Sequence, residues 1–185
     1  MNHKGTAIIE TQRLILRPFA KTDADVMYKN WAGNDNVTRY LTWPTHVSIE
    51  VTRAVIDSWI EQYANLQCYE WCIEYKVNHQ AIGSIGVVAL DEAIEAAEIG
   101  YCIGEDFWHK GITPEALNAV IKYLFEEAGF NRIAARHDLK NPNSGKVMAK
   151  CGLRYEGIHR QAGKNNTGIC DVVTYAVLKD DYLNT

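Results

Sequence analysis

The run Phe107-Trp108-His109-Lys110-Gly111-Ile112-Thr113-Pro114-Glu115-Ala116 stands between a strand-like stretch and the strongest helical pattern in the chain. The first amides of a helix have no acceptor within it and lie at the positive end of its dipole, so a loop entering a helix is a natural seat for phosphate. Gly111 lets a ligand approach the main chain there. A strand-to-helix turn that uses glycine only for its geometry fits the same residues equally well. The run lacks the Gly-Lys-Ser/Thr of a Walker loop and contains no Gly-x-Gly-x-x-Gly, which argues against ATP and dinucleotides.

A second segment, Asn141-Pro142-Asn143-Ser144, follows the next strand at the head of a helix that carries Lys146 and Lys150. Two side-chain amides, a hydroxyl and two ammonium groups converge on one helix start, which suits the same anionic ligand. An Asn/Ser cap beside solvated lysines is the plainer reading of this segment alone. The five cysteines, Cys68, Cys72, Cys102, Cys151 and Cys170, are odd in number and stand mostly in apolar contexts, as reduced buried thiols of a cytosolic protein do. Cys68 and Cys72 have no second pair and no downstream His-x-x-x-His, so no metal site is expected. No His/Asp partner is spaced to activate Cys102 or Cys151 as a nucleophile.

These groups need a scaffold, and the pattern supplies one. Arg13 to Arg17 reads as a strand closed by Pro18, and Thr22 with Asp25 marks the start of a short helix reaching about Trp31. Ser48 opens a second helix whose stripe of Thr52, Val55, Ile56, Trp59, Ile60 and Tyr63 is core-facing by default. From Tyr69 to Val77 the period is two, Asn78-His79-Gln80 turns the chain, and Ala81 to Leu90 returns as a hairpin partner. Glu98 to Ile103 is a further strand. A helix over Pro114 to Ala128 is stopped by Gly129; a strand over Arg132 to His137, a helix over Ser144 to Cys151 and strands around Tyr155 and Val173 complete the order β-α-α-β-β-β-α-β-α-β-β. That order predicts an α/β domain: a mixed, mostly antiparallel sheet of about seven strands with helices on both faces.

The chain has 185 residues, 47% of them hydrophobic and 23% charged, which predicts a single folded domain over 1–185. Its 19 basic and 23 acidic residues give a net charge of -4, so no overall field draws in nucleic acid or an anionic membrane. The N-terminus shows no signal-peptide pattern and no stretch approaches the length of a membrane span, so the protein is expected to be soluble and cytoplasmic.

Read together, these segments resemble the GNAT superfamily of N-acetyltransferases, and within it the RimJ/RimL-like branch that acetylates ribosomal-protein N-termini. The resemblance covers nearly the whole chain. It is carried by Thr11-Gln12-Arg13-Leu14-Ile15-Leu16-Arg17-Pro18, Ala97-Glu98-Ile99-Gly100-Tyr101, Trp108-His109-Lys110-Gly111 with Glu115-Ala116-Leu117, Asn141-Pro142-Asn143-Ser144, Lys150-Cys151-Gly152-Leu153 and Asp171-Val172-Val173-Thr174-Tyr175. It implies acetyl-CoA as cofactor, with the pyrophosphate on the amides of His109, Lys110, Gly111, Ile112 and Thr113. The pantetheine arm is implied to lie beside Tyr101, Cys102 and Ile103 where the sheet splays, with Asn141, Asn143 and Ser144 facing the cofactor and Lys146 and Lys150 near its ribose phosphate or adenine. The family commonly has Gly where His109 stands, a small residue at Thr113 and Thr at Pro114, and Pro114 removes one amide donor.

Acetyl transfer to an amine requires a neutral nucleophile, a stabilised oxyanion and a proton for the departing thiolate. The resemblance implies direct attack in a ternary complex, with a main-chain amide near Cys102 or Ile103 serving the oxyanion. Glu98 is expected as the base, directly or through water, because a carboxylate in an apolar strand can have a raised pKa; Glu74 is second, and an anchoring or solvent-facing Glu98 is the alternative. Ser144 is the expected proton donor to the thiolate, with a capping role as its alternative. Trp31, Trp43 and Tyr40 line the acceptor groove or pack the core. The acceptor is a protein N-terminal amine, a polyamine, an amino acid or an aminoglycoside-like drug, and the loop with Asp91, Glu92 and Glu95 either draws a cation or is a solvated face. A non-catalytic CoA-binding module and a nucleotide-binding regulator are the competing classes. A monomer or homodimer is expected.

Overall fold

The computed structural model describes residues 1–184; Thr185, the last residue of the expected domain, lies outside the described residues. Eight strands form one sheet: β1 (Ile9–Glu10), β2 (Leu14–Arg17), β3 (Glu70–Tyr75), β4 (Gln80–Asp91), β5 (Ala96–Ile103), β6 (Arg132–Asp138), β7 (Arg154–Asn165) and β8 (Gly168–Leu178). Their order is β1-β2-β3-β4-β5-β6-β8-β7, and every neighbouring pair is antiparallel except β5 with β6. The strand beyond the expected seven is β1, two residues at the sheet edge and too short to show a period.

Helices α1 (Ala24–Met27), α2 (Asp35–Thr38), α3 (Ile49–Gln62), α4 (Ile112–Glu126), α5 (Pro142–Lys150) and α6 (Lys179–Leu183) complete the chain. The helix expected from Thr22 to Trp31 is instead three pieces, a 3₁₀ turn at Lys21–Asp23, then α1, then a π turn at Tyr28–Ala32. Its start is set by Asp23, whose Oδ2 accepts from the Ala20 amide at 2.8 Å, so the Thr22/Asp25 spacing is not the cap.

The two faces of the sheet carry different layers. On one, Ala116, Leu117, Val120, Ile121, Leu124 and Phe125 of α4 are buried against Leu14, Leu16, Trp71, Ile73, Ile85, Ile99 and Ile133. The three- and four-residue spacing of those helix positions makes one apolar stripe, and truncating Phe125 to Ala costs about 3–5 kcal/mol in such a core. Beyond α4, Gly129 takes a left-handed φ of 77° and the Phe130 amide returns to the Leu124 carbonyl at 3.0 Å, closing the last turn. On the other face α1, the π turn and α3 pack Phe19, Met27, Trp31 and Ile56 against Cys72, Ala81 and Cys102. The α3 stripe is only partly core: Thr52 and Ile56 are buried, whereas Val55 and Trp59 line a cleft.

Strands β5 and β6 pair in register only from Ala96↔Arg132 to Ile99↔Ala135, although β5 runs on to Ile103 and β6 to Asp138. The two strands therefore part beyond Ile99. On its other side β5 stays paired with β4 as far as Gly83↔Ile103, so the gap opens on one edge only.

Candidate active site

The loop ahead of α4 is held in an unusual shape. Gly111 has φ 71° and His109 φ 59°, both in the left-handed region that glycine enters freely and other residues enter at a cost. The helix starts at Ile112, two residues before the expected Pro114, which makes Pro114 its third residue. Among the described residues, the amides of His109, Lys110, Gly111, Ile112 and Thr113 have no acceptor.

What aims those amides lies behind the loop. Arg13 donates from Nη1 to the Lys110 carbonyl at 2.9 Å and from Nη2 to the Gly111 carbonyl at 3.0 Å. Its Nε donates to Glu115 Oε2 at 2.6 Å, while Glu115 Oε1 accepts from the Arg13 amide at 2.8 Å and from Thr11 Oγ1 at 2.6 Å. A trans peptide points its N–H opposite to its C=O. With the two carbonyls fixed on the Arg13 side, the amides of Gly111 and Ile112 face away from it. Burial pushes the Glu115 carboxyl up, but the hydrogen bonds from Thr11 and Arg13 outweigh it and hold the group below its usual range. Arg13 and Glu115 are 102 positions apart, and nothing in either segment alone announces the other.

A cleft of about 930 Å³ passes by the parting of β5 and β6 and runs along the α3 side of the sheet. Tyr101, Cys102, Asn141 and Ser144 line it at the parting, and Tyr40, Trp43, Val55 and Trp59 wall the other end. Trp31 does not belong to it: its side chain is fully buried against Phe19, so its expected place in a groove is corrected to core packing. Tyr40 and Trp43 do reach the cleft because they stand on the loop after α2 rather than on a packed helix.

At the parting, Tyr101 crosses to α5. Its hydroxyl lies 3.0 Å from Ser144 Oγ and donates to the Ser144 carbonyl at 3.1 Å, and burial raises the phenol pKa far above its ordinary value. Ser144 is not a cap. Helix α5 begins at Pro142 with Asn141 ahead of it, and no side chain bonds at the Asn141 cap position. Pro142 supplies a first helical residue whose missing N–H costs nothing there. Asn143, Lys146 and Lys150 are exposed on α5 and lie outside the cleft lining, as do His109 and Lys110 on their loop.

Glu98 lies on the cleft wall of β5, where its Oε1 accepts from Arg136 Nε at 2.8 Å. It is thus a carboxylate paired with an arginine rather than one isolated among apolar side chains. Glu74 is placed away from the cleft. It is clamped between Arg17 and His79, with Arg17 also bonded to Asp23, and although burial pushes its carboxyl up, the bonds from Arg17 and His79 hold it below the usual range. Glu74 is therefore a latch between β2, β3 and the turn before α1. The acidic loop is likewise occupied locally: Asp91 accepts from the Ala93 amide at 3.0 Å and Glu92 from Gln67.

The thiols are inert by environment. Cys102 is buried, 3.5 Å from Ser84 Oγ, with its pKa pushed up to about 11 by desolvation, and burial likewise raises Cys151 to about 12. Neither is a thiolate near neutral pH.

One cleft residue has no counterpart in the sequence reading. Glu70, the first residue of β3, is half-buried, lies in register with Gly86 and through it with Gly100, and its carboxylate has no partner among the described residues. A Cβ built at Gly86 would collide with Glu70 Oε2 and stand 2.6 Å from the Tyr69 carbonyl, so glycine there makes the room this carboxylate occupies. Burial lifts the Glu70 carboxyl from 4.5 to about 8. The signal that could have found it is a glutamate followed by Trp71 and Cys72, opposite a strand with glycines at 83 and 86; alternation alone does not separate it from Glu74.

The sequence pattern of the acetyltransferase (GNAT) domain matches residues 13–154. The chain is 34% identical over 172 residues to the uncharacterized N-acetyltransferase YoaA of Bacillus subtilis, covering 93% of this chain and 97% of YoaA. It is 31% identical over 101 residues to the ribosomal-protein-serine acetyltransferase of Escherichia coli, covering 55% of this chain and 56% of that protein. Among solved structures, RimL, a ribosomal L7/L12 alpha-N-protein acetyltransferase in complex with coenzyme A, superposes with a TM-score of 0.84 at 24% identity over 95% of this chain and 99% of RimL, a likeness of fold. The anion-seeking loop amides, the parted strands and the domain match converge on one assignment: this chain belongs to the GNAT family and is an acetyl-CoA-dependent N-acetyltransferase.

Proposed function

We propose that this enzyme acetylates the N-terminal amine of a protein, a ribosomal protein in the first instance, by direct attack of the amine in a ternary complex. The observation that carries the reading is the meeting of two features at one place: free main chain at the parting of β5 and β6, and a cleft that leads to it from the opposite side of the sheet. The amides of His109 to Thr113 would hold the pyrophosphate, and the edge of Tyr101 to Ile103 the pantetheine arm, with Asn141 and Ser144 beside it. When bound, acetyl-CoA supplies the activated acyl group and a thiol leaving group.

The chain supplies the proton traffic. The hydroxyl pair of Ser144 and Tyr101, 3.0 Å apart at the parting, is placed to hand a proton to the departing thiolate and regain one from solvent. Glu98, held in place by Arg136, acts through water on the proton that the nitrogen sheds as the new bond forms. A cleft of about 930 Å³ has room for the first residues of an extended chain, which supports a peptide acceptor over a single amino acid. The ribosomal relatives, 31% identical in the case of the Escherichia coli enzyme, support the same choice, and such an acceptor puts the reaction in the cytoplasm.

The test is release of CoA thiol from acetyl-CoA in the presence of short peptides beginning with Ser or Ala, set against spermidine and free amino acids. Faster turnover with the peptides, lost when their amino termini are blocked, is the expected result. Equal or faster turnover with the small amines overturns the choice of acceptor.

A further inference from the structure

We infer that Glu70 is the group that receives the acceptor amine: it binds the incoming ammonium in the cleft and takes its first proton before attack. This rests on the acetyl-transfer reading above and names the residue and the charge class through which the acceptor enters, a primary amine arriving as a cation.

The argument is geometric. Glu70, Gly86 and Gly100 form one row across β3, β4 and β5 on the cleft side of the sheet. Adjacent strands are about 4.8 Å apart, and the Glu70 carboxylate lies over Gly86, so it reaches to within about one strand spacing of Gly100, where β5 leaves β6. Any side chain at Gly86 would displace it. Glu98 is bonded to Arg136 and Glu74 to Arg17 and His79, whereas Glu70 has no cation or donor beside it among the described residues. A half-buried carboxylate without a partner is costly, and a cleft whose occupant is an ammonium supplies the missing partner.

The titratable groups around Glu70 do not compete for that role. Tyr63 just beyond α3, Cys68 on the loop before β3, Cys72 on β3 and Cys102 on β5 all have their pKa values raised, in each case first by burial. His46 across the cleft is held below its usual value by burial and is engaged with Thr52 at 2.8 Å. The other charged residues of the wall are the Glu98–Arg136 pair, Lys164, and Asp138, which accepts from Asn165 and the Lys140 amide.

The protons balance. The ammonium gives one proton to Glu70, leaving a neutral amine; its nitrogen forms a C–N bond to the acetyl carbon, the C–S bond breaks, and the thiolate takes a proton from the Ser144–Tyr101 pair. The nitrogen loses its second proton through water to Glu98. Glu98 gives its proton up through water, the Ser144–Tyr101 pair regains the one it lost, Glu70 returns its proton to solvent, and the net change is an amide, a free thiol and one released proton.

The experiment compares the pH dependence of kcat/KM for the unsubstituted enzyme and Glu70→Gln, with acetyl-CoA and the best amine of the acceptor screen. The expected result is a rise to about pH 8 in the unsubstituted enzyme, reflecting Glu70 ionising, and its loss in Glu70→Gln together with a fall of about 100-fold or more. Titration of the amine itself would persist in the variant. Glu70→Asp should regain part of the limb, which a purely structural role would not produce.

A second readout needs no activity. Glu70 keeps its proton in the folded protein up to about pH 8 but loses it near 4.5 when unfolded, so folding is disfavoured progressively across that interval. The midpoint of thermal unfolding should therefore fall from pH 5 to 8 more steeply in the unsubstituted enzyme than in Glu70→Gln. An unchanged limb and an unchanged slope in Glu70→Gln overturn the inference while leaving acetyl transfer intact. No transfer to any amine by the unsubstituted enzyme overturns the functional reading and the inference with it.

Discussion

His109 is a non-glycine residue held in the left-handed region, and its φ of 59° is one that a glycine would adopt more freely. An L side chain in the left-handed region costs about 1–2 kcal/mol, part of which glycine returns as lost chain entropy. His109→Gly should accordingly raise stability by up to about 1 kcal/mol, seen as a rise of about 2–4 °C in Tm, with acetyl-CoA affinity unchanged or better. Loss of affinity would instead give the imidazole a part in binding. Glu115 is the opposite case, a carboxylate whose folded pKa is depressed by Thr11 and Arg13 despite burial. Its contribution is present above the unfolded pKa near 4.5 and is lost as pH falls through the folded value. Glu115→Gln should therefore be destabilised by about 1–3 kcal/mol at neutral pH, with the gap closing in acid, as thermal melts from pH 7 to pH 3 would record.

At the scale of elements, the central feature is the row of Glu70, Gly86 and Gly100 over three strands. Gly86→Ala sets a methyl group against the Tyr69 carbonyl as well as Glu70, and a backbone atom cannot step aside as a side-chain end can. The expected cost is about 1–3 kcal/mol from overpacking, with a fall in turnover and little change in acetyl-CoA binding, measured by denaturant unfolding and steady-state kinetics side by side. This row also shows where sequence reading stops. Helices α3 and α4, the hairpin of β3 and β4, and the strand β5 were legible because their apolar periods are long and uninterrupted. The broken helix before α2 was not, since its start depends on Asp23 meeting Arg17 across a turn. Glu70, Glu74 and Glu98 look alike in an alternating strand, and only the pairing partners brought by distant elements tell them apart. Ser144 was found from its motif, but its tie to Tyr101, 43 positions away, and its place inside α5 required the fold.

On the scale of the whole molecule, one sheet separates two tasks. The α4 face carries the apolar core and presents the loop amides, while the α3 face opens a cleft that reaches the place where β5 leaves β6. Composition and charge indicated a single folded domain; they contain nothing about this parting, because a strand that ends its pairing early reads the same as one that does not. On the reading proposed above, acetyl donor and amine enter from opposite sides and meet over Gly100 to Ile103.

The most direct measurement of that arrangement is a titration of the uniformly 15N-labelled protein with acetyl-CoA, followed amide by amide by NMR. The account predicts that the largest changes fall on the amides of His109, Lys110, Gly111, Ile112 and Thr113 and on those of Tyr101 to Ile103, with β1 and α6 undisturbed. Saturating acetyl-CoA that leaves the loop before α4 unchanged, or that perturbs a different surface, would contradict it.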